Sequence, residues 1–217
     1  MARPTLHGAI LSPYVRKVRV ALAEKGIAYD SVPVMPFGVS DEFKAISPLG
    51  KIPCYQEGDF TLPDSTCILA YLEAKGEGPA LVPSDPKEFG RALWYEEYAD
   101  TKVASVATVP FFQRFVRAAM MKQEADEAAI RKAIDVDAVE VFDYLEKELE
   151  GREFLAGGQL SIADIATASF FVSMEHGGEK VDAKRWPKLA DYLARIHGRP
   201  SYKAIIEEEK AMVGGAR

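Results

Sequence analysis

"SPLGKIPCYQEGDFTLPDSTCILAYLEAKG", residues 47–76, carries the pattern on which the fold turns. Two short β-type runs, "IPCYQ" and "FTL", flank "EGD", a tight turn containing Gly58, and together they read as a hairpin. Pro53 opens the first run, a position where proline is tolerated because no ladder bond is lost. Asp64 or Ser65 then caps a helix that carries Ile68, Leu69, Tyr71 and Leu72. A hairpin and a covering helix need a sheet to join.

The upstream residues supply it. "PTLHGAI" (4–10) predicts a strand, and residues 13–25 predict a helix that stops at Gly26, a residue suited to a left-handed C-cap. "AYDSVPV" (28–34) predicts a second strand, and "DEFKAI" (41–46) a short helix. The order is β-α-β, a connection, then β-β-α. The first three elements make a right-handed parallel crossover, and the last three add an antiparallel edge. This arrangement resembles the thioredoxin-like α/β class.

The texture changes downstream. "GEGPALVPSDPKE" (76–88) is rich in Gly and Pro and reads as a linker. Residues 89–210 look almost wholly helical, with long helices expected at 88–118 and 124–150. "REFLAGGQL" breaks the pattern. In "SIADIATASFFVSM", Ser161 and Asp164 stand in the relation of a capping box, with Leu160 and Ile165 as its hydrophobic staple. Two further helices are expected near 187–197 and 201–210. The predicted organisation is an α/β domain over 1–77, a linker over 78–87 and an all-α domain over 88–217.

Composition narrows the function. The chain has 217 residues, 48% hydrophobic and 28% charged, with a net charge of -6. That balance gives no general attraction to nucleic acid or to an anionic membrane, so neither is expected as a partner. No run approaches the ~20 apolar residues of a membrane span. "MARPTLHGAIL" lacks the apolar stretch of a signal peptide, and a cytoplasmic protein is expected. Two cysteines, Cys54 and Cys67, fit a reducing compartment, form no C-x-x-C pair and read as small buried apolar residues. His7, His176 and His197 are scattered, so no metal site is expected. No Gly-rich phosphate loop occurs.

Three stretches can carry chemistry, and each also has a plain structural reading. Ser12 with Pro13 is a good helix start, Ser at N-cap and Pro at N1. The same geometry offers unpaired N–H groups and a partial positive charge, which stabilise an anion such as a thiolate. "GKIPC" is an ordinary turn before a hairpin, or a cis Ile52–Pro53 bond that leaves the Ile52 backbone free to pair with a bound peptide. "PDST" is a helix cap, or a place where Ser65 and a helix N-terminus hold a carboxylate while Asp64 pairs with an ammonium group.

Taken together, these stretches resemble a cytosolic glutathione S-transferase over nearly the whole chain. "SPYVRKVRVALAEKGI" is similar to the first-helix motif of the serine-type classes, the phi, theta, zeta and bacterial-like ones. "EFKAISPLGKIP" is similar to the segment leading to the family's cis-proline, "LPDSTCILAYLEAK" to its acidic-serine motif, and "GGQLSIADI" to its second-domain cap. The resemblance implies glutathione as co-substrate, a homodimer and detoxification of hydrophobic electrophiles. It implies that Ser12 donates to the glutathione sulfur, with Tyr14 as the rival donor. It implies that the Ile52 backbone, before cis-Pro53, pairs with the cysteinyl part. Lys51 would face the glycyl carboxylate, and Asp64 and Ser65 would hold the γ-glutamyl end. The electrophile pocket is expected between the domains, walled by Tyr14, the "MPF" loop with Phe37, and Trp94, Tyr98, Phe111, Phe112 and Phe115.

The chain departs from some classes. "LSPY" lacks the Ser-Ser-Cys run of the zeta isomerases and the active-site cysteine of the omega and beta classes. Disulfide-reductase relatives read Ser/Thr-Pro-Asn where this chain has Ser-Pro-Tyr. Three alternatives stand beside a transferase: a glutathione-dependent peroxidase or disulfide reductase, a non-catalytic dimeric interaction module of the same fold, and a glutathione-dependent dehalogenase or lyase.

Overall fold

The computed structural model describes residues 3–215, so the outermost residues of the expected domains, 1–2 and 216–217, lie outside the description. The chain divides into two compact units, Met1–Leu81 and Val82–Arg217.

In the first unit the elements follow the expected order. They are β1 (Thr5–His7), α1 (Pro13–Lys25), β2 (Asp30–Val32), α2 (Asp41–Ile46), β3 (Cys54–Glu57), β4 (Phe60–Pro63) and α3 (Ser65–Ala74). They form a four-stranded mixed sheet in the order β2-β1-β3-β4. β1 runs parallel to β2 and antiparallel to β3, and β3 runs antiparallel to β4. The first two strands, β1 and β2, are shorter than the runs 4–10 and 28–34 predicted from the sequence. β2 ends at Val32 because Pro33 has no N–H to continue a ladder.

α1 buries Val15, Val18 and Leu22, the i, i+3, i+7 face of an amphipathic helix, and ends at Gly26 with φ 68°. Its last residue, Lys25, is buried. The ammonium pairs with Glu73 at 2.9 Å and donates to the carbonyls of Glu77 and Pro79 at 3.2 and 3.0 Å. Gly78, at φ 70°, lies so close that a Cβ there would collide with the Lys25 carbonyl. The end of α1 is thereby tied to the segment that follows α3.

The second unit is helical. α4 (Pro86–Tyr98) starts on Asp85, whose carboxylate accepts from the N–H groups of Lys87 and Glu88. The single helix expected over 88–118 is interrupted. A π-helical stretch (Ala99–Val103), α5 (Ala104–Ala107), α6 (Val109–Phe111) and a second π-helical stretch (Phe112–Met120) follow α4. Pro110 explains the break at Thr108, because proline cannot donate to the carbonyl of the preceding turn. The helix expected over 124–150 is likewise α7 (Glu127–Arg131), a π-helical stretch (Lys132–Asp137) and α8 (Ala138–Glu148).

α9 (Ile162–His176) is the buried axis of this unit, with fourteen of its residues out of solvent. Its capping box forms, and Leu160 and Ile165 are both buried. Asp164 does more than a capping box asks. It is fully buried, and its carboxylate accepts from the Ser161 N–H at 2.9 Å and the Ser161 hydroxyl at 3.0 Å. It also accepts from the Leu155 N–H and the Tyr192 hydroxyl, each at 2.9 Å. Burial pushes the Asp164 carboxyl above its ordinary range, against the opposing pull of these donors. Asp164 therefore joins the loop before α9, the start of α9 and α10 (Pro187–His197). α11 (Pro200–Gly215) closes the unit. The Tyr202 hydroxyl donates to the Ile165 carbonyl at 2.6 Å, and buried His176 and Glu209 pair at 2.9 Å.

Asp164→Ala strands donors from three segments, whereas Ser161→Ala removes one cap. The expected losses of unfolding free energy are roughly 3 kcal/mol and about 1 kcal/mol respectively. Denaturant titration checks this, and equal losses would reduce Asp164 to an ordinary capping residue.

Candidate functional site

The sheet register decides which residues meet. His7, the last residue of β1, pairs with Cys54, the first of β3, and Cys54 pairs with Pro63, the last of β4. The ends of β1 and β4 and the start of β3 therefore share one end of the sheet. The chain leaves β1 there toward Ser12 and α1, enters β3 there through Ile52 and Pro53, and leaves β4 there into Asp64, Ser65 and α3. Open α/β sheets bind ligands at such strand ends.

Gly8 makes the approach possible. A Cβ at Gly8 would stand 2.5 Å from a Val15 methyl group and 3.5 Å from the Ile52 Cβ. The end of β1, the first turn of α1 and Ile52 are thus in direct reach of one another. A glycine directly after a strand is the signal in the sequence, and the sequence reading overlooked it.

Ser12 is the N-cap residue of α1 by backbone, with φ −71° and ψ 129°, and Pro13 takes the first helical position. Its side chain makes no capping hydrogen bond. This corrects the expectation that Ser12 works as a cap through its hydroxyl. Pro13 has no N–H, so the first amides at this helix end are those of Tyr14 and Val15. The half-buried Ser12 hydroxyl stands beside a thirteen-residue helix whose N-terminal charge favours an anion.

The Ile52–Pro53 peptide bond is cis. Ile52 lies outside β3, and among the described residues its backbone enters no backbone–backbone hydrogen bond. Lys51 is exposed immediately before it. The turn is built on Ser47, which the sequence reading passed over. Ser47 is fully buried, and its hydroxyl donates to the Lys51 carbonyl at 2.7 Å.

Asp64, and not Ser65, caps α3. Its carboxylate accepts from the Cys67 N–H at 3.1 Å, its own N–H donates to the Pro53 carbonyl at 3.3 Å, and its φ is 79°. Positive φ in a non-glycine residue is a strained conformation that surrounding structure must enforce, and such residues cluster at ligand sites. Ser65 is buried at the first position of α3. This end of the unit therefore presents two helix N-termini, one free strand-like peptide and one exposed carboxylate.

The aromatic candidates fall in different places. Tyr14 is half-buried in the first turn of α1, and Phe37 is 52% exposed in the loop after β2. In the second unit the Tyr98 ring packs 4.7 Å from that of Tyr144, and burial pushes its hydroxyl up to about 12. The Trp94 indole N–H donates to the Tyr144 hydroxyl at 2.8 Å. Phe111 is buried with its ring stacked on Phe115 at 5.0 Å, the packing of a core side chain. Among the described residues, no group of His, Cys, Asp and Glu is arranged to hold a metal ion, and no helix is long and apolar enough to cross a membrane.

Residues 6–80 match the family described as "Glutathione S-transferase, N-terminal domain", and residues 110–209 match "Glutathione S-transferase, C-terminal domain". The chain belongs to the glutathione S-transferase family. It is 31% identical to glutathione S-transferase 3 of Zea mays over 210 residues, 94% of this chain and 90% of that one. It is 25% identical to FtsZ-localized protein A of Caulobacter vibrioides over 212 residues, covering 94% and 91%. Among solved structures, a glutathione S-transferase from Rhodospirillum rubrum superposes with a TM-score of 0.84 at 27% identity, covering 93% of this chain and 91% of that one. The thioredoxin-like unit with its mixed sheet and the helical unit are those of this family, and membership implies glutathione as co-substrate.

The two cysteines separate cleanly. Cys54 is buried, its thiol donates to the Ile46 carbonyl at 3.4 Å, and burial pushes it up to about 11. Cys67 is exposed in the first turn of α3, which corrects the expectation that both are buried. A thiol reagent should modify Cys67 quickly in the native protein and reach Cys54 only on unfolding. Loss of the fast phase in Cys67→Ser checks the assignment, and a fast phase that survives would contradict it.

Proposed function

We propose that this chain is a glutathione transferase of the serine type, in which Ser12 donates to the glutathione sulfur and favours its thiolate. One observation supports this above the rest: the Ser12 hydroxyl sits at a helix N-terminus without being spent on the helix. A thiol ordinarily ionises near ~8.5, so a hydroxyl donor and a helix end together raise the thiolate fraction at neutral pH. The thiolate forms a carbon–sulfur bond to a hydrophobic electrophile. In substitution the leaving group departs with the bonding pair, and in addition a proton completes the product.

The other roles follow from position. The Ile52 backbone, before cis-Pro53, pairs with the cysteinyl part. Lys51 faces the glycyl carboxylate, and Asp64 with Ser65 holds the γ-glutamyl end. Tyr14 and Phe37 belong to the electrophile's apolar surroundings. Phe111, buried and stacked on Phe115, is a core side chain of the second unit and not a contact of the electrophile. The protein works as a cytoplasmic homodimer.

A second reading has its own support. The similarity to FtsZ-localized protein A favours a module that acts by binding another protein. An intact set of Ser12, Lys51, Pro53, Asp64 and Ser65 weighs toward the enzyme. Assay with glutathione against electrophiles, peroxides and disulfides separates the readings. Turnover of electrophiles supports the transferase, turnover of the others moves the assignment to a peroxidase or reductase, and no turnover supports the module.

Three variants test the site. Ser12→Ala should raise the thiol pKa of bound glutathione, read from thiolate absorbance against pH, and lower the rate near neutrality. It should leave the melting temperature nearly unchanged, because no capping bond is lost. Tyr14→Phe run in parallel should leave the pKa in place, and the reverse outcome transfers the role to Tyr14. Asp64→Ala should weaken glutathione binding by ~1.5–3 kcal/mol, expressed mainly in KM. An unchanged KM would move the γ-glutamyl site elsewhere.

A further inference from the structure

Ser47 is committed on every side. It follows the last residue of α2 and is fully buried. Its N–H donates to the Phe43 carbonyl at 2.8 Å, which holds it to α2. Its carbonyl accepts from the Gly50 N–H at 2.7 Å, and its hydroxyl donates to the Lys51 carbonyl at 2.7 Å. Gly50, at φ 62°, closes the turn against Val39, which would stand 3.1 Å from a Cβ at that position. The helix it hangs on is itself anchored, with Phe43 buried and its ring 6.3 Å from that of His7 at the end of β1.

The peptide plane turns this local bond into a statement about the site. In a trans peptide the C=O of one residue and the N–H of the next point in opposite directions from one rigid plane. The Lys51–Ile52 peptide is not among the cis bonds. The buried Ser47 hydroxyl draws the Lys51 carbonyl inward, so the Ile52 N–H is aimed the other way. A flip of this peptide would exchange the two groups. The flipped plane would present a carbonyl where the donor had been and leave the buried Ser47 hydroxyl without its acceptor.

We infer that Ser47 is a positioning residue for ligand binding: it locks the Lys51–Ile52 peptide so that the Ile52 N–H faces the carbonyl of the cysteinyl residue of glutathione. This rests on the role of Ile52 given under Proposed function and adds what enforces it. Ser47 touches no ligand. Its effect is preorganisation, since a free strand-like donor held in one orientation loses less freedom when a ligand pairs with it.

The test uses the full chain and two ligands. The first is glutathione. The second is an analogue in which the cysteinyl carbonyl is reduced to a methylene group, so that the acceptor for Ile52 is gone. Calorimetric titration of the intact protein and of Ser47→Ala with both ligands completes a cycle. Ser47→Ala should bind glutathione about tenfold more weakly, the worth of one well-placed hydrogen bond. It should bind the analogue almost as the intact protein does, because that ligand makes no use of the Ile52 N–H. A general loosening of the fold would instead weaken both ligands by the same factor, and that result overturns the inference. Equal glutathione binding by both proteins also overturns it, while leaving the reading of Ile52 untouched. If the intact protein binds glutathione and the analogue equally, the assigned role of Ile52 fails and this inference falls with it. If Ser47→Ala is too unstable to titrate, Ser47→Cys carries the same comparison, because a thiol is a weaker donor of similar size.

Discussion

The pairing of β3 between β1 and β4 is the constraint from which the rest of the first unit follows. With His7 opposite Cys54 and Cys54 opposite Pro63, the ends of β1 and β4 and the start of β3 meet at the same end of the sheet. A slip of one residue would turn every β3 side chain to the other face and set the fully buried Tyr55 ring against the space that now holds the smaller, equally buried Cys54 or the half-buried Gln56. The fit of these side chains favours the observed register, and the register brings Ser12, Ile52 and Asp64 to one end of the sheet. The chemistry at that place needs no unusual side chain. In the proposed reading helix ends, a strand-like peptide and a carboxylate suffice, because glutathione is itself a peptide with charged termini.

The second unit depends on a single buried carboxylate in a comparable way. Asp164 gathers donors from the loop before α9, from the start of α9 and from α10. A buried charge is costly unless its bonding capacity is filled, and here four donors fill it. The arrangement has one geometry in which all four are satisfied, so it specifies the packing of the unit as well as stabilising it.

Local chemistry in the sequence foretold much of this. Pro13 and Gly26 bracket α1 at its observed ends, and Pro187 marks the start of α10. Gly58 marks the hairpin, and Ser161 with Asp164 marks the start of α9. The failures have a common cause, which is that they depend on distant partners or on the path of the backbone. Pro110 breaks a run whose hydrophobic period continues through it, so periodicity alone drew one helix over 88–118. The π-helical stretches keep enough apolar spacing to pass for α-helix. The reach of Asp164 to Tyr192 spans chain that no local pattern connects. At the site, cap chemistry singled out Ser12 and Asp64 but could not say which of them caps through its side chain, and Asp64 does while Ser12 does not. Ser47 went unremarked because "SPLG" is an ordinary turn sequence and the bond to Lys51 is visible only in three dimensions.

The central claim is that one end of the sheet binds glutathione through two helix N-termini and the Ile52 peptide. Backbone amide resonances of the full chain, followed while glutathione is added, test it most directly. The account predicts that the largest shifts fall together in the first turn of α1, at Ile52, and at Ser65 and Thr66 in the first turn of α3, all titrating with one dissociation constant. Saturable binding with those amides unmoved would contradict it.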